Sequence, residues 1–351
     1  MREATGDAPG RVNLIGEHTD YHDGLVMPCA LPQRTHAHVR SRDDNRVIAW
    51  SAAQPEHPIA FTLGAERPKH DWSDYVQGIA VALRQHGCVL RGFDLDVHSD
   101  VPVGSGLSSS AALEVALIRA LRALYPCALS DVDVARLGQQ AEVEFVGAPV
   151  GIMDQMAASV AKPGEALFLD TRSLAFERIP LPDSLDLVVI DSGVPHRHAS
   201  GGYATRRAES EAAAAQLGVA KLRDVDAAAV ARASLPDLLG RRARHVVTEN
   251  ERVLAARLAL LRGDLVTFGD LLTQSHISLR DDYQVSLPEI DLLVELAWQH
   301  PSVYGARLTG GGFGGAILIA AHANSGPIVA EAVVSVYAQR TQRRATVLIA
   351  A

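Results

Sequence analysis

The fold of this chain is decided by the stretch Pro102-Val-Gly-Ser-Gly-Leu-Ser-Ser-Ser-Ala-Ala-Leu113, a glycine-rich loop that runs into an apolar segment. Gly104 and Gly106 lack side chains, so the backbone can turn tightly and a ligand can approach its amides. The serines at 108–110 stand where a helix is predicted to begin, and serine hydroxyls cap free helix amides. Apolar residues within 111–124 cover most faces of this helix, which indicates burial. A helix N-terminus of this kind predicts an anion site, and phosphate is the usual anion.

This loop differs from the two common nucleotide-binding motifs. A P-loop ends in Gly-Lys-Ser/Thr, and the stretch contains no lysine. A dinucleotide fingerprint has a third glycine where this chain has Ser109. The structural alternative to an anion site is a serine-capped buried helix that follows a flexible turn.

The composition is typical of a globular protein with a net negative charge. The chain has 351 residues, which suggests one large or two medium domains, and 48% of them are hydrophobic, enough for a substantial core. The formal net charge of -8 argues against a nucleic-acid partner or an anionic membrane surface. No apolar stretch reaches the roughly 20 residues that a membrane span requires. The N-terminal segment lacks the apolar core of a signal peptide, so we expect a cytoplasmic protein.

Cysteine and histidine do not form recognisable metal motifs. The three cysteines, Cys29, Cys88 and Cys127, have neither metal nor redox spacing, and their odd number fits a reducing compartment. His36 and His38 share one face of a predicted strand, whereas His196 and His198 flank an arginine. We expect both pairs on the surface rather than around a metal ion.

Periodicity predicts a mixture of helices and strands without regular alternation, which favours an α+β architecture over a doubly wound parallel sheet. Strands are predicted at 12–15, 34–40, 93–97 and 185–190, and a strand, glycine turn and strand at 307–321. Helices are predicted at 71–85, 131–145 with a Ser130 cap, 204–217, 227–261 with a turn near Pro236 and Gly240, and 287–298. Pro180 and Pro182 suggest a domain boundary within 171–184.

Three motifs in this order resemble those of the GHMP small-molecule kinases. They are Ala8-Pro-Gly-Arg-Val-Asn-Leu-Ile-Gly-Glu-His-Thr-Asp-Tyr21, the loop at 102–113, and Leu308-Thr-Gly-Gly-Gly-Phe-Gly-Gly315. The first motif is similar to that of galactokinases, as are residues 243–247, 275–283 and 287–290. The resemblance implies a two-domain α+β GHMP kinase fold, with an N-terminal domain at 1–175, a C-terminal domain at 176–351 and the active site in the cleft between them.

The resemblance also implies an activity. An enzyme of this kind transfers the γ-phosphate of ATP to the anomeric hydroxyl of α-D-galactose and releases ADP and galactose 1-phosphate, with Mg²⁺ as cofactor. The expected partners are therefore small molecules, and a monomer is favoured. One departure concerns the sugar turn, because family members usually carry asparagine where this chain has His22.

The resemblance assigns roles to individual residues. Asp154 would be the catalytic base, and Arg11 would pair with it and with the transferring phosphoryl group. Sugar binding would involve Glu17, His18, Asp20, Gly151, Asp154 and Tyr203. ATP binding would involve Trp72, Tyr75, Gly104, Ser105, Gly106, Leu107, Ser108, Ser109 and Ser110. Ser110 and Glu142 would serve magnesium, since hard oxygen ligands suit that ion.

Each of these residue types also has a structural explanation. An aspartate near a glycine turn, such as Asp154, often caps a helix. Glu142 could be an exposed helix carboxylate like its neighbour Glu144, and residues 17–20 could form a solvated turn. Aromatic residues three apart, as at 72 and 75, usually pack into a core.

Two other functions stay open on the sequence. The first is a kinase of a related sugar, such as N-acetylgalactosamine, arabinose or galacturonic acid, because nothing in the sequence fixes the group at the second carbon. The second is a non-catalytic sensor of galactose and ATP. Such regulators tend to be damaged in the glycine-serine loop, whereas Ser108, Asp154 and Arg11 are all present here.

Overall fold

The computed structural model describes residues 2–194 and 199–350. The strands are β1 (Glu3–Asn13), β2 (Leu25–Val26), β3 (Pro28–Ser41), β4 (Arg46–Ser51), β5 (Ile59–Thr62), β6 (Phe93–Ser99), β7 (Glu165–Asp170), β8 (Phe176–Pro180), β9 (Leu185–Asp191), β10 (Val303–Thr309), β11 (Ala316–His322) and β12 (Thr346–Ala350). The helices are α1 (Ser73–Gln85), α2 (Ser109–Leu124), α3 (Asp131–Gln140), α4 (Met153–Val160), α5 (Ala199–Gln216), α6 (Ala227–Arg232), α7 (Asp237–Arg262), α8 (Leu265–Ser278), α9 (Pro288–Trp298) and α10 (Gly326–Thr341). No helix among the described residues is both long and apolar enough to cross a membrane.

The chain forms two compact units. The first comprises Met1–Arg11 and Ala30–Pro163, and the second comprises Val12–Cys29 and Gly164–Ala351. They share most of their residues with the predicted domains 1–175 and 176–351, but the segment 12–29 groups with the later part of the chain. The predicted domain division itself stays a prediction.

The first unit packs helices α1 to α4 against a mixed sheet. β3 pairs antiparallel with β6, β4 runs parallel to β6, β5 pairs with β4, and β1 pairs with β3. Alternation on β3 buries Thr35, Ala37 and Val39. His36 and His38 lie on the other face, which confirms that they share one side of a strand.

Strand β1 lies directly on helix α2, and this contact positions the glycine-rich loop. A Cβ atom at Gly6 would stand 2.2 Å from the Ala116 carbonyl oxygen, so only glycine allows the two elements to approach this closely. Further along β1, the Arg11 amide donates to the Leu107 carbonyl at 3.1 Å. The end of β1 is therefore fixed beside the loop that precedes α2.

The second unit is built on the antiparallel sheet β10-β11-β9-β12, over which helices from α5 to α10 pack. Its core includes Ile190 on β9, Ile317 on β11, Val246 on α7 and Leu293 on α9. The short strand β2 pairs with β7, and β7 pairs with β8. Backbone bonds from Leu14 to Met27 and from Met27 to Ile15 close the segment that carries the first motif into a compact turn.

Many of the sequence predictions are confirmed, including the α+β class. The predicted helices at 71–85, 204–217 and 287–298 match α1, α5 and α9, and the break near Pro236 separates α6 from α7. Ser130 caps α3 in a capping box with Asp133. The predicted helix 131–145 is α-helical to Gln140 and continues as a π-helical turn over Ala141–Val146.

Other elements differ from the prediction. The strand predicted at 12–15 overlaps β1 only at residues 12 and 13, because β1 begins at Glu3 and ends at Asn13. Cys88 and Cys127 form a disulfide with a Cα–Cα distance of 5.1 Å, a pair that their sequence separation of 39 residues did not indicate. His196 and His198 lie outside the described residues.

Candidate active site

The glycine-rich loop enters α2 through a left-handed residue. Gly104 and Gly106 have positive φ angles of 75° and 78°, which glycine adopts without strain. Ser108, which has a side chain, also has a positive φ of 58°. Helix α2 then begins at Ser109, and its first amides have no partner within the helix. This geometry fits an anion site at the helix N-terminus.

Ser108 does not cap the helix through its side chain, so the predicted serine cap is wrong at this position. Its hydroxyl instead donates to Asp154 Oδ2. The left-handed backbone turns this hydroxyl away from the helix amides and towards α4. The helix amides are thereby left available to a ligand.

Arg11 and Asp154 form a bidentate ion pair. Arg11 Nε donates to Asp154 Oδ1 at 2.8 Å, and Arg11 Nη2 donates to Oδ2 at 2.7 Å. Arg11 Nη1 also donates to the Gly106 carbonyl at 2.7 Å. The guanidinium therefore joins the loop to the carboxylate, and its planar fork fixes the orientation of both.

The Asp154 carboxylate stays open to a ligand in spite of this pairing. Its side chain is 27% exposed, whereas that of Arg11 is only 7% exposed. A carboxylate held in one orientation beside free helix amides can accept a proton from a hydroxyl group. An adjacent guanidinium offsets negative charge on a nearby anion.

A second group of acidic residues lies next to Asp154. Glu142 accepts a hydrogen bond from Gln155 at 2.8 Å and interacts with the Ser110 hydroxyl. Burial and the charge of Asp154 raise the pKa of Glu142 to about 7. Glu142 is 6% exposed, so it is not the solvated helix carboxylate that its neighbour Glu144 is.

Glu114 supports Glu142 from inside helix α2. It is completely buried and accepts from Gln155 Nε2 at 3.1 Å. Burial, with the charge of Glu142, raises the pKa of Glu114 well above its ordinary value. Glu114 Oε1 and Gln155 Oε1 are buried without a hydrogen-bond partner among the described residues, so the cluster presents more oxygen atoms than its own donors satisfy.

A cavity of about 180 Å³ opens beside the start of α2. Its lining includes Trp72, Tyr75, Ser109 and Ser110, so the structure brings the two predicted aromatic residues together with the loop serines. Both aromatic side chains are partly exposed, and Trp72 also packs against the edge of the hydrophobic core. Trp72 directly precedes α1, and Tyr75 lies in its first turn. The rest of the lining, which the sequence did not indicate, is Thr35, Ser51, Ala53, Gln54, Val97, Ser99, Val103 and Leu113.

In the second unit, the first motif forms a buried turn at residues 16–22. Glu17 and His18 are 3% and 5% exposed, so the solvated-turn alternative is wrong. Glu17 Oε1 accepts from the Gly310 amide at 2.7 Å and forms an ion pair with the completely buried Arg307 at 3.3 Å. The first and third motifs are thus joined through one carboxylate.

Two residues of α7 hold the backbone of this turn. Glu249 Oε1 accepts from the Gly16 amide at 3.0 Å, and His245 Nε2 lies 3.1 Å from the Glu17 carbonyl. Both side chains are completely buried. Burial acts to raise the pKa of Glu249, but the interactions with Arg252, His245 and Arg307 and the hydrogen bond from Ser275 together lower it to about 2. Burial lowers the pKa of His245 to about 4.

Aromatic rings surround His18. Its ring centroid lies 4.7 Å from that of Tyr283 and 5.5 Å from that of Tyr203, and its Nδ1 lies 2.9 Å from the Tyr21 hydroxyl. Asp20 begins a short 3₁₀ turn and accepts from the Tyr21 amide at 3.0 Å. The structure therefore groups His18, Asp20 and Tyr203, three of the predicted sugar-binding residues.

The remaining predictions fall in both units. Gly151 lies two residues before the start of α4 in the first unit and is buried. His22, which replaces the usual asparagine, is completely buried and lies 2.7 Å from the Ser210 hydroxyl. The turn at 20–23 therefore encloses the His22 side chain. It ends at Asp23, whose backbone has the left-handed conformation and whose amide donates to the Asp20 carbonyl.

Sequence reasoning missed the buried residues that hold the predicted site residues in place within each unit. These are Glu114, Gln155, Tyr21, Tyr283, His245, Glu249 and Arg307. A charged residue within an apolar helical run, such as Glu114, was the one available signal. The segments 243–247 and 275–283 resemble those of galactokinases, but this resemblance assigns no role to their residues.

The comparisons with known families cover most of the chain. Residues 2–41 match the galactokinase galactose-binding signature, residues 74–162 match the GHMP kinases N terminal domain, and residues 256–339 match the GHMP kinases C terminal domain.

Individual relatives show the same similarity. A galactokinase of Streptomyces coelicolor is 46% identical over 345 residues, which cover 96% of this chain and 89% of that protein. A galactokinase of Chloroflexus aurantiacus is 45% identical over 351 residues, with 97% and 90% covered. The structure is similar to the crystal structure of Lactococcus lactis galactokinase complexed with galactose, with a TM-score of 0.94, 32% identity, and 99% and 93% of the two chains covered.

Proposed function

Because the chain belongs to the galactokinases of the GHMP kinase family, we propose that Asp154 accepts the proton of the galactose anomeric hydroxyl as that oxygen receives the γ-phosphoryl group of ATP. The reaction converts ATP and galactose into ADP and galactose 1-phosphate. The new bond joins the anomeric oxygen to phosphorus, and the bond between phosphorus and the β,γ-bridging oxygen breaks. The proton passes to Asp154.

The bidentate pair of Arg11 and Asp154 beside the loop carries this proposal. A phosphoryl transfer needs an oriented acceptor and stabilisation of charge more than covalent chemistry. Arg11 meets both needs, because it orients the carboxylate and places a positive charge next to it. The amides of residues 104–110 would hold the phosphates at the helix N-terminus, with Trp72 and Tyr75 beside the adenine.

Sugar recognition is proposed for Glu17, His18, Asp20, Gly151 and Tyr203, together with Asp154. Carboxylates accept hydrogen bonds from hydroxyl groups, and a neutral histidine can both donate and accept. The buried anchors of this turn support the proposal, because a rigid turn selects one arrangement of hydroxyl groups over others.

The oxygen donors around Glu142 fit a magnesium ion. Ser110 supplies a hydroxyl and Glu142 a carboxylate, and Mg²⁺ typically binds one or two protein oxygens together with substrate phosphates and water. Bound Mg²⁺ neutralises phosphate charge. Gln155 and Glu114 orient the Glu142 carboxylate, and we propose that this support sets the magnesium affinity.

Replacement of Glu142 by glutamine tests the metal assignment. We expect the Mg²⁺ concentration for half-maximal rate to rise at least about tenfold, because a neutral amide is a poor ligand for a hard cation. The matched control is Glu144→Gln, two residues away on the exposed side of the same turn. Equal Mg²⁺ titrations for both variants would contradict the role of Glu142.

A sugar panel tests the substrate. Purified protein is assayed for ADP release with galactose, N-acetylgalactosamine, arabinose and galacturonic acid, each at several concentrations. We expect the highest kcat/KM with galactose. A higher kcat/KM with another sugar would identify the protein as a kinase of that related sugar. The turn that contains His22 would then be the first candidate for the origin of the changed specificity.

We also propose a monomer that works in the cytoplasm, with an N-terminal domain at 1–175 and a C-terminal domain at 176–351. Small-molecule substrates and the net charge of -8 support the monomer and the location, because neither requires a protein, nucleic-acid or membrane surface. The two compact units, which share most of their residues with the two domains, support the division of the chain. Light scattering of the purified protein tests the monomer.

A further inference from the structure

We propose that Tyr21 and Tyr283 are positioning residues that fix the proton of His18 on Nε2, so that this nitrogen donates to an oxygen of the sugar. The inference rests on the proposed role of His18 in sugar binding and deepens it. It gives a task to the segment 275–283, which the proposed function leaves without one.

A chain of hydroxyl groups leads to the imidazole. The Tyr283 hydroxyl lies 2.6 Å from the Tyr21 hydroxyl, and the Tyr21 hydroxyl lies 2.9 Å from His18 Nδ1. All three side chains are buried, with exposures of 0%, 5% and 5%. The chain is therefore shielded from bulk water, and its direction depends on the three groups and their buried neighbours.

His18 is neutral in this environment. Burial, followed by the neighbouring His245, lowers the pKa of His18 to about 3. At neutral pH one ring nitrogen therefore carries a proton and the other accepts. Burial also raises the pKa of Tyr21 well above 10 and that of Tyr283 to about 12, so both phenols keep their protons.

The direction of the chain follows from acidity. A phenol is a much stronger acid than a neutral imidazole N–H, so the stronger hydrogen bond has Tyr21 donating to Nδ1. Tyr283 then donates to Tyr21 at 2.6 Å. In the reverse direction, Tyr283 would donate to the Ser210 hydroxyl or to the Arg206 carbonyl, which is 3.4 Å away. The difference in acidity therefore decides the direction and leaves the imidazole proton on Nε2.

His18 Nε2 is buried and poorly satisfied. The Gly311 backbone lies near the His18 ring, but Nε2 forms no hydrogen bond of good geometry with any described residue. The ring cannot easily rotate, because Tyr283 and Tyr203 pack against it and its own backbone is left-handed, with φ of 63°. A buried donor without an acceptor is unfavourable, and a sugar hydroxyl or ring oxygen would satisfy it.

The first test is the Tyr21→Phe variant. Without the phenol, the imidazole can place its proton on either nitrogen, so we expect the KM for galactose to rise about five- to tenfold with kcat and the KM for ATP within about twofold. Tyr283→Phe should shift the galactose KM in the same direction by less, because it acts through Tyr21. The control is Tyr125→Phe, which removes a buried hydroxyl bonded to the Gly92 carbonyl at the far end of α2. An unchanged galactose KM in both test variants would overturn the proposal.

A double-mutant cycle separates this role from a purely structural one. His18→Gln places an amide donor near the position of Nε2 whatever residue stands at 21. Tyr21→Phe should therefore have no further effect on the galactose KM in that background. The same factor in both backgrounds would mean that Tyr21 acts through packing, and the proposal would be wrong.

The tautomer can be read without any activity. ¹⁵N-histidine-labelled protein is compared with His18→Gln to assign the His18 ring signals. We expect an Nε2–H tautomer in the wild type and a mixture in Tyr21→Phe. A wild-type Nδ1–H tautomer would overturn the inference even if the enzyme phosphorylates galactose, whereas an Nε2–H tautomer in an enzyme that does not would overturn the proposed function alone.

Discussion

Replacement of Asp154 by asparagine is expected to lower kcat by about 10²- to 10⁴-fold, the usual contribution of a positioned general base. The amide cannot accept the proton, and its NH₂ group would face a donor of Arg11. Binding of ATP and galactose should change by only a few-fold, because their other contacts remain. Steady-state kinetics with galactose and ATP, together with calorimetric titration of each ligand, measure both quantities.

The matched control for this variant is Asp44→Asn. Asp44 is paired with Arg42 through the same atoms, Nε to Oδ1 and Nη2 to Oδ2, both at 2.9 Å, in the same unit. This control removes a bidentate ion pair without touching the loop, so its kcat should equal that of the wild type. Near-normal turnover of Asp154→Asn would show that another group takes the proton.

Mild acid is expected to destabilise the second unit strongly. Burial lowers the pKa values of His18 and His22 to about 3 and that of His245 to about 4, from an ordinary value of 6.5. Between these values the unfolded chain binds more protons than the folded one. The stability is therefore present above pH 6.5 and is lost as the pH falls towards 3. For three such groups the loss between pH 7 and 5.5 is about 4 kcal/mol.

Urea unfolding at pH 7 and 5.5, followed by circular dichroism, measures this loss. His22→Asn should remove about a third of it, because one of the three titrating groups is gone. His36→Asn is the control, since His36 is exposed and its replacement should leave the pH dependence unchanged. The raised pKa values of Glu142 and Glu114 act in the opposite direction in every variant, so the comparison between variants decides. An identical pH dependence of the wild type and His22→Asn would contradict the buried neutral histidines.

The sequence was most informative where local rules decide the structure. The glycines at 104 and 106, the Ser130 cap and the break near Pro236 each depend on a few neighbouring residues, and each was predicted correctly. The loop and its helix were identified in this way, and so was the α+β class. The same rules failed at Ser108, where a long-range bond to Asp154 replaces the local cap.

The support of the site could not be read from the sequence because it is made by contacts between distant residues. Glu249 accepts a hydrogen bond from the Gly16 amide, 233 residues away in the sequence. Arg307 donates to the Asn13 carbonyl, 294 residues away. Neither hydrophobic periodicity nor residue spacing predicts contacts between residues this far apart in the chain. Residues 17–19 show the consequence, since polar side chains of these types are common in exposed turns, whereas Glu17, His18 and Thr19 are buried here.

The most direct test of the central claim is the identification of the product by ³¹P NMR, with purified protein, Mg²⁺, ATP and galactose. Transfer at the site of Arg11 and Asp154 predicts equal amounts of ADP and galactose 1-phosphate, with neither formed when galactose is left out. Release of inorganic phosphate without a sugar phosphate, or no ADP from protein shown to be folded, would contradict it.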